Sequence, residues 1–148
     1  MDESVWRQQR RDLVSRPCLF ERALLIGCVT CHHASRLALA EREVVSCADS
    51  QAHEACADYL AMAAQRARFA LHLQPGQPMA HAARMRIQCG GLRELARHSD
   101  AEPGLVPDVA DTLTQAAERF GSGPDRWPWE PLVRAIRDAS PRRGSREL

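Results

Sequence analysis

Apolar residues recur at three- and four-residue steps along most of the chain, and no window alternates with period two between turn residues, so the pattern predicts helices. The expected fold class is all-α, a compact irregular bundle of about five to seven helices. A first helix is expected over 2–15, with Val5, Trp6 and Leu13 available for packing and Pro17 preventing continuation. A second, over about 19–26, meets a break at Gly27, and a third is expected over about 33–45. The string Ser46-Cys47-Ala48-Asp49-Ser50 then offers oxygen side chains that can accept from the orphan amides of a following helix. That helix should be the longest, running to about Leu73 before Gln74-Pro75-Gly76, with Ala52, Cys56, Leu60, Ala63 and Ala67 as a stripe of small inward residues. Pro78 opens a helix over 79–89, which Gly90 and Gly91 should end. Two plainer helices follow over about 107–120 and 130–139, and the loop between them carries Trp127 and Trp129, expected to fold back onto the helices.

At 148 residues and 45% hydrophobic content, the chain is expected to form one domain over 1–139 with a core of its own, followed by a disordered basic tail over 140–148. A metal would then serve function or local structure rather than the whole fold. The formal charge of +1 and the lack of any nucleic-acid-binding signature exclude nucleic acid as the default partner. The arginines near both ends, Arg7, Arg10, Arg11 and Arg16 and again Arg142, Arg143 and Arg146, read as solvated. The apolar run 23–29 is too short and too glycine-interrupted for a signal segment or a membrane span, so a cytoplasmic location is expected.

That compartment changes how six cysteines are read, because cytosolic thiols are kept reduced and serve metal or thiol chemistry more often than cross-links. Cys28-Val29-Thr30-Cys31-His32 has the form of a c-type haem attachment string, which would apply if an export signal had been removed. Met62, Met79 and Met85 read as core filler rather than as distal ligands. A thioredoxin-like use of the same string needs strands that the pattern does not show. Zinc could be met by Cys28, Cys31, Cys47 and Cys56, although the second pair is not compactly spaced. An iron-sulfur cluster needs four thiolates converging from any part of the chain and draws readily on loops and helix ends. Cys31, Cys47, Cys56 and Cys89 are the ligands expected for a 4Fe-4S cluster, with Cys18, Cys28 and His32 in reserve.

The strings CLFERA from Cys18, AEREVVSC ending at Cys47, ARFAL from Ala67 and QCGGL around Cys89 resemble those of a group of small cysteine-rich bacterial proteins of unknown function. The resemblance covers about residues 17–137. It implies that Cys18, Cys31, Cys47, Cys56 and Cys89 form a pattern in which the CxxCH string is incidental, and it implies no mechanism. Of the histidines, His32 and His33 adjoin Cys31, whereas His53, His72, His81 and His98 fall at helical positions suited to exposed or hydrogen-bonded roles. No catalytic constellation is present: Glu41 and Glu43 stand two apart and would face different sides of a helix. The function expected is therefore a metal-binding protein, an iron-sulfur carrier acting in electron transfer or in maturation of a larger redox protein. The alternative is a helical interaction module with structural zinc or core cysteines.

Overall fold

The computed structural model describes residues 2–140; the tail expected over 140–148 lies outside them but for its first residue. The described residues form α1 (Glu3–Leu13), α2 (Glu21–Ile26), β1 (Ala34–Leu39), β2 (Arg42–Cys47) and α3 (Ser50–Arg66). Then follow α4, continuous over 81–97, α5 (Val109–Phe120) and α6 (Trp129–Asp138), with a single 3-10 turn at Pro124–Arg126. The protein is mostly helical, but β1 and β2 form an antiparallel sheet, so the all-α expectation is corrected to a mixed α and β fold.

The hairpin stands where a helix over 33–45 was expected, and two local features explain why the pattern concealed it. Leu39 pairs with Arg42, leaving a two-residue turn whose members, Ala40 and Glu41, have φ of 51° and 70°. Such left-handed turns usually announce themselves with Asn or Gly, and this one carries neither. Successive strand residues point to opposite faces, yet Val44 and Val45 of β2 are both fully buried while Ser35, Arg36, Leu37 and Ala38 of β1 are all exposed, so neither strand shows alternation. Val45 belongs to the main core. On the outer side, Trp6 of α1 donates from Nε1 to the Leu39 carbonyl at 3.3 Å, and the Arg42 guanidinium lies 4.4 Å from the Trp6 ring centre while pairing with Glu3 at 2.8 Å.

Asp49 caps α3 as expected, its carboxylate accepting from the Ala52 amide at 2.8 Å. The helix stops at Arg66, short of Leu73, and residues 67–72 coil through turns in which His72 takes φ of 55°. The larger correction is in α4, which starts at His81 and does not end at Gly90 and Gly91 but passes through them in a π-helical turn, Arg86–Gly91. These glycines serve close approach rather than termination. A Cβ on Gly90 would lie 2.5 Å from Ala139 Cβ, and one on Gly91 would collide with the Tyr59 hydroxyl, so α4 can press against α3 and α6 only where side chains are missing.

Tyr59 is the hub of the core. Its ring centre lies 6.1 Å from that of Phe20, 6.3 Å from Trp127 and 6.2 Å from Trp129, and its hydroxyl donates to the Ile87 carbonyl inside the π-turn at 2.9 Å. Both tryptophans are buried against the helices as expected, and each indole N–H finds a carbonyl, Trp127 that of Gly121 and Trp129 that of Pro124. Phe20 extends this aromatic cluster toward the cysteine-bearing end of the molecule.

Candidate metal centre

Four separate pieces of chain deliver a thiol to one small cavity. Cys18 lies between α1 and α2, Cys31 in the loop before β1, Cys47 at the end of β2, and Cys56 in the second turn of α3. All four are free thiols of intermediate exposure, and all four line a cavity of about 20 Å³ whose other walls include Phe20, Ala34, His53 and Val109.

Backbone pairing explains how distant residues arrive there. The Cys18 amide donates to the Val45 carbonyl at 2.9 Å and the Cys47 amide to the Arg16 carbonyl at 2.8 Å, which lays the segment before α2 alongside β2. The Gln88 side chain donates to the Leu19 carbonyl at 3.1 Å, and a His53 ring nitrogen lies 3.1 Å from the Pro17 carbonyl, so Cys18 is tied on both sides. Glu21 joins the two layers: it accepts from the Val45 amide at 2.8 Å and pairs with Arg10 at 3.1 Å. Cys31 is placed by its neighbours, since the Thr30 amide donates to the Pro107 carbonyl at 2.9 Å and the Val109 amide to the Thr30 carbonyl at 2.7 Å. Cys47 Sγ lies 3.2 Å from the Asp49 carbonyl, linking the thiol to the capped start of α3.

The cavity favours neutral thiols. The Cys18 thiol is raised to about 11 and Cys56 to about 12, by burial above all with the neighbouring cysteines adding to it; burial also raises Cys31. A bound cation reverses this preference, since it replaces the lost solvation with direct coordination of the thiolate.

Of the expected ligands, Cys31, Cys47 and Cys56 share this cavity with the reserve Cys18. Cys89 does not: it lies in the π-turn of α4, bonded to Cys28 in a disulfide spanning 61 residues with Cα atoms 5.8 Å apart. The CxxCH string is thereby divided, Cys28 belonging to the disulfide and Cys31 to the thiol group. His32 faces elsewhere, its Nδ1 lying 3.1 Å from Asp108 and 3.8 Å from Asp111. Among the described residues, this exposed trio is the set of three ligating side chains whose donor atoms all lie within 4.8 Å of one another; no three of the thiols are that close. Asp108 is already engaged as the cap of α5, accepting from the amides of Asp111 and His32. The sequence reading missed His53 as a wall of the cavity, although its i, i+3 relation to Cys56 on a helix places the two on one face.

No family of known proteins matches this chain, nor does any curated protein or solved structure. No helix among the described residues is long and apolar enough to cross a membrane.

Proposed function

We propose that this protein binds a metal cofactor at Cys18, Cys31, Cys47 and Cys56, and that the cofactor is an iron-sulfur cluster. The observation that carries this reading is the convergence of four free thiols from four separate segments on one cavity. Four soft donors without carboxylates suit zinc or iron-sulfur chemistry. Their spacing favours the cluster: one tetrahedral zinc with Zn–S of about 2.3 Å needs all four sulfurs about 3.8 Å apart, whereas a cluster sets each thiolate on a different iron and holds them farther apart. The volume favours a single ion, because 20 Å³ admits little more than one water-sized sphere. Structural zinc is therefore the second reading.

In this reading the protein acts as an electron carrier or as an accessory factor that matures a larger redox protein; the expected cytoplasmic setting has the Cys28–Cys89 disulfide against it, since such cross-links persist in oxidising compartments. Phe20 walls the site on the core side, and the incomplete burial of the four cysteines supports a cofactor site that a partner can approach.

Purification without oxygen, or reconstitution with iron and sulfide, should give a brown protein with stoichiometric iron and sulfide. Cys18→Ser, Cys31→Ser, Cys47→Ser and Cys56→Ser should each lose most of that load, while Cys28→Ser and Cys89→Ser keep it, because a serine hydroxyl replaces a thiolate poorly. Colourless protein without iron would overturn the cluster reading, and tightly bound zinc in it would establish the second. Full loading of the four single variants would refute the ligand set.

A further inference from the structure

His32 follows Cys31 in the chain yet belongs to a group of harder donors, formed where the loop before β1 meets the start of α5. Its Nδ1 lies 3.1 Å from Asp108 Oδ1, 3.2 Å from Asp108 Oδ2 and 3.8 Å from Asp111 Oδ1. Backbone pairing fixes the two segments: the Val109 amide donates to the Thr30 carbonyl at 2.7 Å and the His32 amide to Asp108 Oδ2 at 2.8 Å. His33 packs beside His32 with ring centres 4.1 Å apart, which limits how far the His32 ring can turn. A hydrogen bond from the imidazole explains the contact with Asp108. It does not explain Asp111, whose carboxylate is beyond hydrogen-bond reach of His32 and makes no other ion pair among the described residues.

We infer that His32, Asp108 and Asp111 bind one hydrated divalent ion of the manganese class, at a site separate from the thiols. Adjacent donors around a six-coordinate ion with bonds of about 2.2 Å stand about 3.1 Å apart, which is the His32–Asp108 spacing. Asp111 has a side chain 66% exposed, so a small turn closes its 3.8 Å to the same value. Capping does not exhaust Asp108: each oxygen accepts one amide, from Asp111 and from His32, and keeps a lone pair for an ion. The positive end of α5 opposes a cation, and two carboxylates outweigh it. Two carboxylates with one imidazole suit manganese, whereas calcium and magnesium take oxygen donors alone and the four thiols call for softer metals. His32 and Asp111 help wall an open cleft of about 500 Å³ between α3 and α5, which gives water access to the remaining positions. Its described walls carry Asp49 and Glu118 and no arginine, so no fixed cation competes there.

Manganese(II) alone is the probe, titrated into the full chain and followed by loss of the free-ion electron paramagnetic resonance signal. One ion should bind per chain, and pulsed measurements should show nitrogen coupling from an imidazole. His32→Ala should abolish that coupling and, like Asp111→Asn, weaken binding by about tenfold or more. Glu118→Gln, on the same cleft but outside the trio, should leave the affinity unchanged. Asp111→Asn keeps the backbone amide that Asp108 caps, so the site is tested even if His32→Ala disturbs its loop. No stoichiometric binding, bound manganese without nitrogen coupling, or equal losses in Asp111→Asn and Glu118→Gln would overturn the inference. Coupling that disappears in His32→Ala cannot come from an ion held by thiolates, so the result stands or falls apart from the thiol reading.

Discussion

The two ends of the molecule are built on opposite principles. Around Tyr59, helices α3, α4 and α6 close on large aromatic and aliphatic side chains, and the glycines of α4 remove the atoms that would hold them apart. Around the four thiols, the walls are loop, strand end and helix start, the cysteine side chains are small, and positions are set by backbone hydrogen bonds and by Glu21, Gln88 and His53. One end is held by packed volume, the other by directed polar contacts. Phe20 belongs to both, as a stacking partner of Tyr59 and as a wall of the thiol cavity. The contrast teaches what the proposed cofactor site would draw on: the aromatic end supplies stability that does not depend on the thiols, so the thiol end can stay small-sided.

Gly91→Ala should break the aromatic end. Its Cβ collides with the Tyr59 hydroxyl, and relief would have to move Tyr59 away from the Ile87 carbonyl or α4 away from its neighbours. A loss of about 1–3 kcal/mol is expected, the range for overpacking a filled core, read from urea or thermal unfolding. An unchanged midpoint would show that the core yields more easily than its packing suggests.

A gentler change should sharpen the other end. Ala40 and Glu41 occupy left-handed conformations that cost an L residue about 1 kcal/mol or more each, so replacing the pair with Asn-Gly should stabilise the protein by about 1 kcal/mol. The gain should appear as slower amide exchange along β1 and β2, where Ala34 pairs with Cys47, and not around Tyr59. Destabilisation would mean that Glu41 or Ala40 makes contacts worth more than the relieved backbone.

Alkaline pH should distinguish the ends more weakly. Cys56 and Cys18 titrate higher in the folded protein than the ordinary thiol value of 9.0, so the unfolded chain loses its thiol protons first. Stability contributed by these neutral thiols is complete below about pH 9 and should decline as pH rises toward 11 and 12, the folded values for Cys18 and Cys56. Metal-free Cys56→Ser should show a shallower decline between pH 9 and 11 in denaturant titrations. Identical slopes would show that Cys56 is more solvated than its surroundings imply.

The correspondence between sequence and structure follows the same division. Periodicity and caps located α1, α2, the start of α3, α5 and α6, because each is a local consequence of side-chain spacing and of which residue can accept from orphan amides. The inward folding of Trp127 and Trp129 was legible for a related reason: a large apolar ring must find cover, and its N–H needs a nearby carbonyl. The hairpin was not legible, since β2 buries two adjacent valines, β1 exposes four residues in a row, and the turn lacks the usual residues. Nor was the meaning of Gly90-Gly91, which depends on Ala139 and Tyr59 lying across from them.

The number and kind of cysteines, and hence the range of chemistry open to the chain, were determined by the sequence alone. Which of them meet was decided only in three dimensions. Cys28 and Cys31, adjacent in one string, part company because the segment between them is pinned to Pro107 and Val109, leaving Cys28 against α4 and Cys31 against β2 and α3. Cys89 reaches Cys28 across 61 residues because the close approach of α4 brings its π-turn there, and Cys18 joins Cys47 because the chain before α2 pairs with β2. Spacing along a chain constrains neighbours within a turn or two; the pairing of thiols tens of residues apart is set by how helices and strands pack, and that is a property of the whole fold.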